Sequence, residues 1–148
     1  MAPARDHHGL TLLELLIVVA IIAMATASVS LTMRDHASVQ LEREAQRLAA
    51  LLESARSLSR TRGVPVRWQA TAQGFRFEGL PDSMLPEHWL DADTAVSDPA
   101  ALNLGPEPLI EPQSVTLVSR RQAGPGWHIA TDGLRPFAVA PATVGAGG

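Results

Sequence analysis

Gly9-Leu10-Thr11-Leu12-Leu13-Glu14-Leu15-Leu16-Ile17-Val18-Val19-Ala20-Ile21-Ile22 is the stretch on which the reading of this chain turns. It sets one carboxylate among leucines at the head of a strongly apolar run. No charge follows from Leu15 to Met33, and about 20 apolar residues in helical form cross a hydrocarbon core of roughly 30 Å. Thr26, Ser28, Ser30 and Thr32 dilute the second half. The competing reading is a core helix of a soluble protein, but the 86 residues after Arg62 are too few to cover so long an apolar surface. Residues 10–33 are therefore expected to span a membrane.

Working outward, the 53 residues from Leu10 to Arg62 contain neither glycine nor proline. Such a run permits one continuous helix of about 80 Å at roughly 1.5 Å per residue. Ten of the eleven prolines lie at or beyond Pro65 and ten of the eleven glycines at or beyond Gly63, so the helix is expected to end near Gly63. From Arg34 onward the pattern becomes amphipathic. Leu41, Ala45, Leu48, Leu52 and Ala55 recur every three or four residues, widened by Leu51 and Leu58. That stripe needs a cover, expected from the sheet that follows. Arg43, Glu44, Arg47, Glu53 and Arg56 lie largely off the stripe and read as a solvated face, with Glu44–Arg47 and Glu53–Arg56 spaced for weak pairs.

Beyond Gly63 the period changes to that of short strands. Val64–Gln69 alternates, and Gly74–Phe77 follows after a four-residue link that fits a hairpin. Val115–Ser119, Trp127–Ala130 and Phe137–Ala140 are the later strands, broken by Gly124-Pro125-Gly126 and Asp132-Gly133. Short links imply antiparallel pairing. Residues 80–112 hold six prolines and read as a long loop with a helical turn at His88–Leu90. Trp68 and Trp127 are expected on strands facing the helix, and Trp89 either in the core or on a loop that meets a partner. The fold class is α+β: a long N-terminal helix, first membrane-spanning and then amphipathic, packed on a small antiparallel β-domain.

Composition narrows the function. A chain of 148 residues accommodates one membrane segment and one small domain. A net charge of −3 provides no general attraction for nucleic acid, and with no cysteine there is neither disulfide, thiolate metal site nor cysteine nucleophile. Ser83, His88 and Asp91 lack a nucleophile elbow, and Glu87, His88, Asp91 and Asp93 match no standard metal spacing, so these loop polars read as solvated. No enzyme activity, metal or cofactor is expected.

Glu14 needs its own account. A carboxylate at the centre of a membrane helix costs about 2.5–3.5 kcal/mol on insertion scales, and less near the interface. If the chain were cut after Gly9, the new amine of Leu10 would be a cation about 6 Å away along the axis, at roughly 1.5 Å per residue. The two groups then pair within one helix or between staggered neighbouring helices. The other reading is an interfacial glutamate that snorkels or protonates.

The junction Gly9-Leu10-Thr11-Leu12-Leu13-Glu14 resembles the class III leader of type IV pilins and type II secretion pseudopilins. The resemblance implies cleavage by a prepilin peptidase between Gly9 and Leu10, N-methylation of Leu10, and Glu14 as the assembly carboxylate. Leu10 stands where the family usually has an aromatic residue. The stretch Glu44–Ser57, Arg62-Gly63-Val64-Pro65-Val66, and the turn in Trp127–Gly133 are similar to H-type minor pseudopilins. The layout thus implied is a leader at 1–9, a helix at 10–62 and a periplasmic β-rich domain at 63–148.

The same resemblance implies a structural subunit near the tip of a periplasmic pseudopilus that exports folded proteins across the outer membrane. The implied partners are other minor pseudopilins, the major pseudopilin, the prepilin peptidase, the inner-membrane secretion platform and membrane lipid. A minor pilin of a type IV pilus, active in pilus assembly or DNA uptake, shares the layout and is the alternative. Arg120-Arg121 is the sole basic doublet, so nucleic acid is not an expected partner. Some major pseudopilins hold calcium in a C-terminal loop, and no matching cluster follows Pro112. Arg5 precedes the span while Arg34, Arg43 and Arg47 follow it, so a periplasmic domain rests on the leader resemblance and not on charge bias.

Overall fold

The computed structural model describes residues 11–98 and 100–143, and for 30–35 the backbone alone. One helix, α1, runs Leu12–Arg62, and the chain divides into two compact units at the His36–Ala37 step. In the first unit the stretch Leu12–Val29 is long and apolar enough to cross a membrane, and none of it is buried. Leu12, Leu13, Leu16, Ile21 and Ile22 are all well exposed. Apolar surface of this extent is stable only against lipid or other apolar helices. The hydroxyls of Thr26 and Ser28 bond back to the carbonyls of Ile22 and Met24, so the polar residues that dilute the run are satisfied within the helix.

The second unit begins with the amphipathic part of α1. Leu41, Ala45, Leu48, Leu52 and Ala55 are all buried, and Leu51 and Leu58 pack at the margin, as their spacing requires. The helix stops where the first internal glycine allows a left-handed residue. Gly63 has φ 66°, and the N–H groups of Gly63 and Val64 both reach the carbonyl of Ser59, at 2.9 and 3.2 Å.

Seven strands follow: β1 (Arg67–Ala70), β2 (Phe75–Glu78), β3 (Thr94–Val96), β4 (Ala101–Asn103), β5 (Gln113–Ser119), β6 (Trp127–Thr131) and β7 (Ala138–Pro141). They form two antiparallel sheets where one was expected, ordered β2-β1-β4 and β3-β5-β6-β7. Trp68, Phe75, Phe77 and Leu102 from the first sheet and Val115, Leu117 and Ile129 from the second join the helix stripe in one core. Each such side chain contributes about 1.5–3 kcal/mol on full burial. The Phe75 ring lies 6.0 Å from Trp68 and 4.6 Å from Trp89, centroid to centroid, giving the first sheet an aromatic centre.

Residues 80–112 are more ordered than a long loop. They contain β3 and β4, each three residues long and each an edge strand. Strands this short show no periodicity of their own, and pairing with β5 and β1 defines them. The helical turn expected at His88–Leu90 is absent. Instead His88 bridges Gly74, and the Glu87 carbonyl accepts the N–H of Phe75 at 3.1 Å. A Cβ on Gly74 would fall 2.5 Å from that carbonyl, so glycine lets the two backbones meet. Trp89 is buried in the core, whereas Trp127 is only half-buried at its margin.

Candidate functional site

Two regions of α1 engage polar side chains with other groups of the chain: its first turn, and the face that meets the β-domain. Gly9 and Leu10 lie outside the described residues. Thr11 stands just before the first helical residue, and its Oγ1 accepts the N–H of Glu14 at 3.3 Å, while its carbonyl accepts the N–H of Leu15 at 3.1 Å. That is an N-cap, and Thr11-x-x-Glu14 has the spacing of a capping box. Glu14 therefore sits in the first turn, exposed, where the positive end of the helix dipole favours a carboxylate. The Thr-x-x-Glu spacing ahead of an apolar run is a cap signal that the sequence itself carries, separate from the charge of Glu14.

The face of α1 read as solvated is in part buried, which corrects the expectation for Glu44 and Arg56. Both are covered by loops of the β-domain whose backbone groups they satisfy. Glu44 uses one oxygen for Arg47 at 2.8 Å and the other for the N–H of Leu90 at 2.8 Å. Arg47 continues to the carbonyl of His88 at 3.0 Å. Nine residues after Glu44, Glu53 accepts the N–H of Phe137 at 3.0 Å and lies 3.6 Å from Arg56. Arg56 donates to the carbonyls of Gly133 at 2.7 Å, Pro108 at 3.4 Å and Arg135 at 3.5 Å. Helical spacing places a charge on a face, but cannot say which distant loop lies over it.

The Asp132-Gly133 turn is built for this contact. Asp132 Oδ1 accepts the N–H groups of Arg135 at 2.8 Å and Leu134 at 3.0 Å, and the Arg135 guanidinium pairs with its other oxygen at 3.0 Å. The backbone donors, Arg135 first, and then the Arg135 charge hold the Asp132 carboxyl below its ordinary value. Thr131 Oγ1 accepts the N–H of Gly133 and donates to the carbonyl of Arg135. Gly133 has φ 87°, and a Cβ there would meet the Ile110 carbonyl at 1.9 Å.

The three loop carboxylates Glu87, Asp91 and Asp93 are occupied locally. Glu87 accepts the N–H of Phe77, Asp91 accepts the N–H of Asp93, and Asp93 pairs with Arg121 at 2.7 Å. Among the described residues no group of three or more histidines or acids is placed to hold a metal ion. Of the basic doublet, Arg120 donates to the carbonyl of Ala72 and Arg121 is in that pair with Asp93.

Residues 4–30 match the prokaryotic N-terminal methylation motif, and residues 44–144 match the type II transport protein GspH model. The second match covers more than half of the chain. This chain belongs to the GspH family of type II transport proteins. No curated protein and no solved structure matches it. The H-type pseudopilin family is one of structural subunits, and membership implies association with other pseudopilins and processing by a prepilin peptidase. In this pseudopilin the methylation motif takes in Gly9, Leu10, Thr11 and Glu14. The GspH match opens at Glu44 and takes in the Arg56–Gly133 contact.

Proposed function

We propose that this chain is a minor pseudopilin of a type II secretion pseudopilus, a structural subunit near the filament tip that supports export of folded proteins across the outer membrane. Residues 1–9 are removed by prepilin peptidase, Leu10 becomes the methylated N-terminus, and 10–33 anchor the subunit in the inner membrane before assembly. Residues 63–148 then stand in the periplasm, joined by the helix at 10–62. The supporting observation is the exposed apolar segment Leu12–Val29, headed by one carboxylate, Glu14, on a chain that belongs to the GspH family.

Glu14 acts in assembly by meeting the amine of a neighbouring subunit's first residue in the lipid layer, where opposite charges interact strongly and an unpaired one is costly. A tip-proximal position suits a subunit that keeps this carboxylate, because it has a neighbour above it. Contacts with the major pseudopilin, other minor pseudopilins and the inner-membrane platform follow from that place.

The test is chemical. Intact mass of the protein recovered from assembled filaments is expected to begin at Leu10 and to carry one added methyl group. Glu14→Ala is expected to leave the protein in the membrane but outside the filament. Recovery of filament protein that still begins at Met1 overturns the reading, and protease protection of residues 63–148 in spheroplasts reverses the topology.

A further inference from the structure

Arg56 joins α1 to two separate loops. Its Nη2 donates both to the Gly133 carbonyl and to the Pro108 carbonyl, so those two oxygens lie side by side around one nitrogen. Gly133 also lies close against the Ile110 carbonyl, so the same two loops touch at a second point. Each loop carries one large apolar side chain that stands mostly in water: Leu109 is 65% exposed and Leu134 is 72% exposed. Arg56, only 3% exposed, thus draws together two loops that each leave a leucine largely in water.

The surroundings of the leucines specify what covers them. Glu107 and Glu111 flank Leu109, both exposed, and among the described residues neither enters an ion pair. Asp132 precedes Leu134 and is paired with Arg135. Arg135, itself exposed, and Asp132 offset each other, so the uncompensated charge beside the two leucines is that of Glu107 and Glu111, and the rim is acidic on balance. Such a rim repels the anionic headgroups of a membrane, which rules against lipid as the occupant. It complements a protein surface whose apolar centre is bordered by arginine or lysine.

We infer that the paired loops at 106–111 and 132–136, held together by Arg56, form a docking surface for a neighbouring protein subunit that presents an apolar cluster flanked by basic residues. Leu109 and Leu134 are its anchors, and Glu107 and Glu111 orient the approach. The inference rests on the subunit role proposed above and names one surface through which a neighbour is held.

Photocrosslinking in the full chain, assembled in its own membrane, tests it with a photoreactive residue at 109, at 134 or, as a reference, at Ile17 in the apolar helix. The expected result is that positions 109 and 134 label the same other protein, in a peptide where apolar residues lie beside lysine or arginine. Glu107→Lys with Glu111→Lys lowers that yield at least about fivefold, because rim charges set the rate of encounter, and leaves labelling from position 17 unchanged. Both substituted side chains are exposed, so folding is not at stake. Arg56→Lys, whose single nitrogen cannot occupy the positions of both Nη1 and Nη2, is expected to reduce labelling at 109 and 134 together.

Labelling of lipid, of a second copy of this chain or of an acidic peptide overturns the inference. Labelling from position 17 with silence at 109 and 134 overturns it while the subunit role stands. Silence at all three overturns both.

Discussion

The carboxylate of Glu44 accepts the backbone N–H of Leu90 at 2.8 Å across 46 residues of chain, with the rest of its charge spent on Arg47. This bond holds the segment that carries Trp89 into the core and leaves Leu90 exposed. Removing a buried acceptor leaves its donor without a partner, at a cost of about 1–3 kcal/mol. Glu44→Ala is therefore expected to lower the urea midpoint accordingly. Glu44→Gln, which still offers an amide oxygen to Leu90, is expected to lower it less. Trp fluorescence during unfolding of the full chain in detergent reads both, and equal effects of the two variants would show that the charge, and not the bond to Leu90, matters.

Gly133→Ala is the most damaging single methyl expected in the β-domain. At φ 87° an alanine is strained, and the added carbon would lie 1.9 Å from the Ile110 carbonyl, which is backbone and cannot swing aside. The cost is at least about 2 kcal/mol, and the turn must shift. Gly124→Ala, with nothing within 4 Å of the added carbon, is the matched control and is expected to change the midpoint little.

How much of this was legible beforehand divides along physical lines. The stripe Leu41, Ala45, Leu48, Leu52 and Ala55 is a local pattern, because a helix fixes the angle between residues three and four apart, and all five are buried. Gly63 likewise ends the helix for a reason internal to the backbone. The burial of Glu44 and Arg56 depends on loops 46 and 77 residues away, and no periodicity encodes which loop returns to which turn. β3 and β4 failed for a related reason: three residues beside a proline-rich stretch become a strand only through the neighbour that pairs with them. Thr11 differs from these, since a Thr-x-x-Glu spacing ahead of an apolar run is a local signal.

Asp132 gives the β-domain an acid-sensitive turn. Its carboxyl is held below its ordinary value of 3.8, so folding favours the charged form. The sign follows directly: the contribution is fully present above the unfolded value and is lost as pH falls through the lowered, folded one. Asp132→Asn keeps an oxygen for the N–H groups of Leu134 and Arg135 but has no proton to take up. Its stability is expected to fall less steeply than the parent's across that acid range. A carboxyl 13C titration of Asp132 checks the direction, and a midpoint above the ordinary value would refute it.

The start of α1 holds a cap, Thr11, three residues before the carboxylate proposed above to act in assembly, Glu14, and the two roles separate by mutation. Thr11 receives the backbone N–H of Glu14, a bond that does not involve the Glu14 side chain. Glu14→Gln should therefore leave the helix start intact while removing the negative charge, and Thr11→Val should remove the cap while leaving the charge. Loss of a threonine cap costs about 0.5–2 kcal/mol, and low-dielectric surroundings raise the penalty for the exposed donor. In lipid, amide exchange at Glu14 is expected to quicken in Thr11→Val and to stay unchanged in Glu14→Gln. Filament incorporation is expected to behave the opposite way, abolished in Glu14→Gln and reduced a few-fold in Thr11→Val. If Thr11→Val proved as defective as Glu14→Gln, assembly would depend on the geometry of the first turn as much as on a charge within it, and pairing through Glu14 alone would no longer explain it.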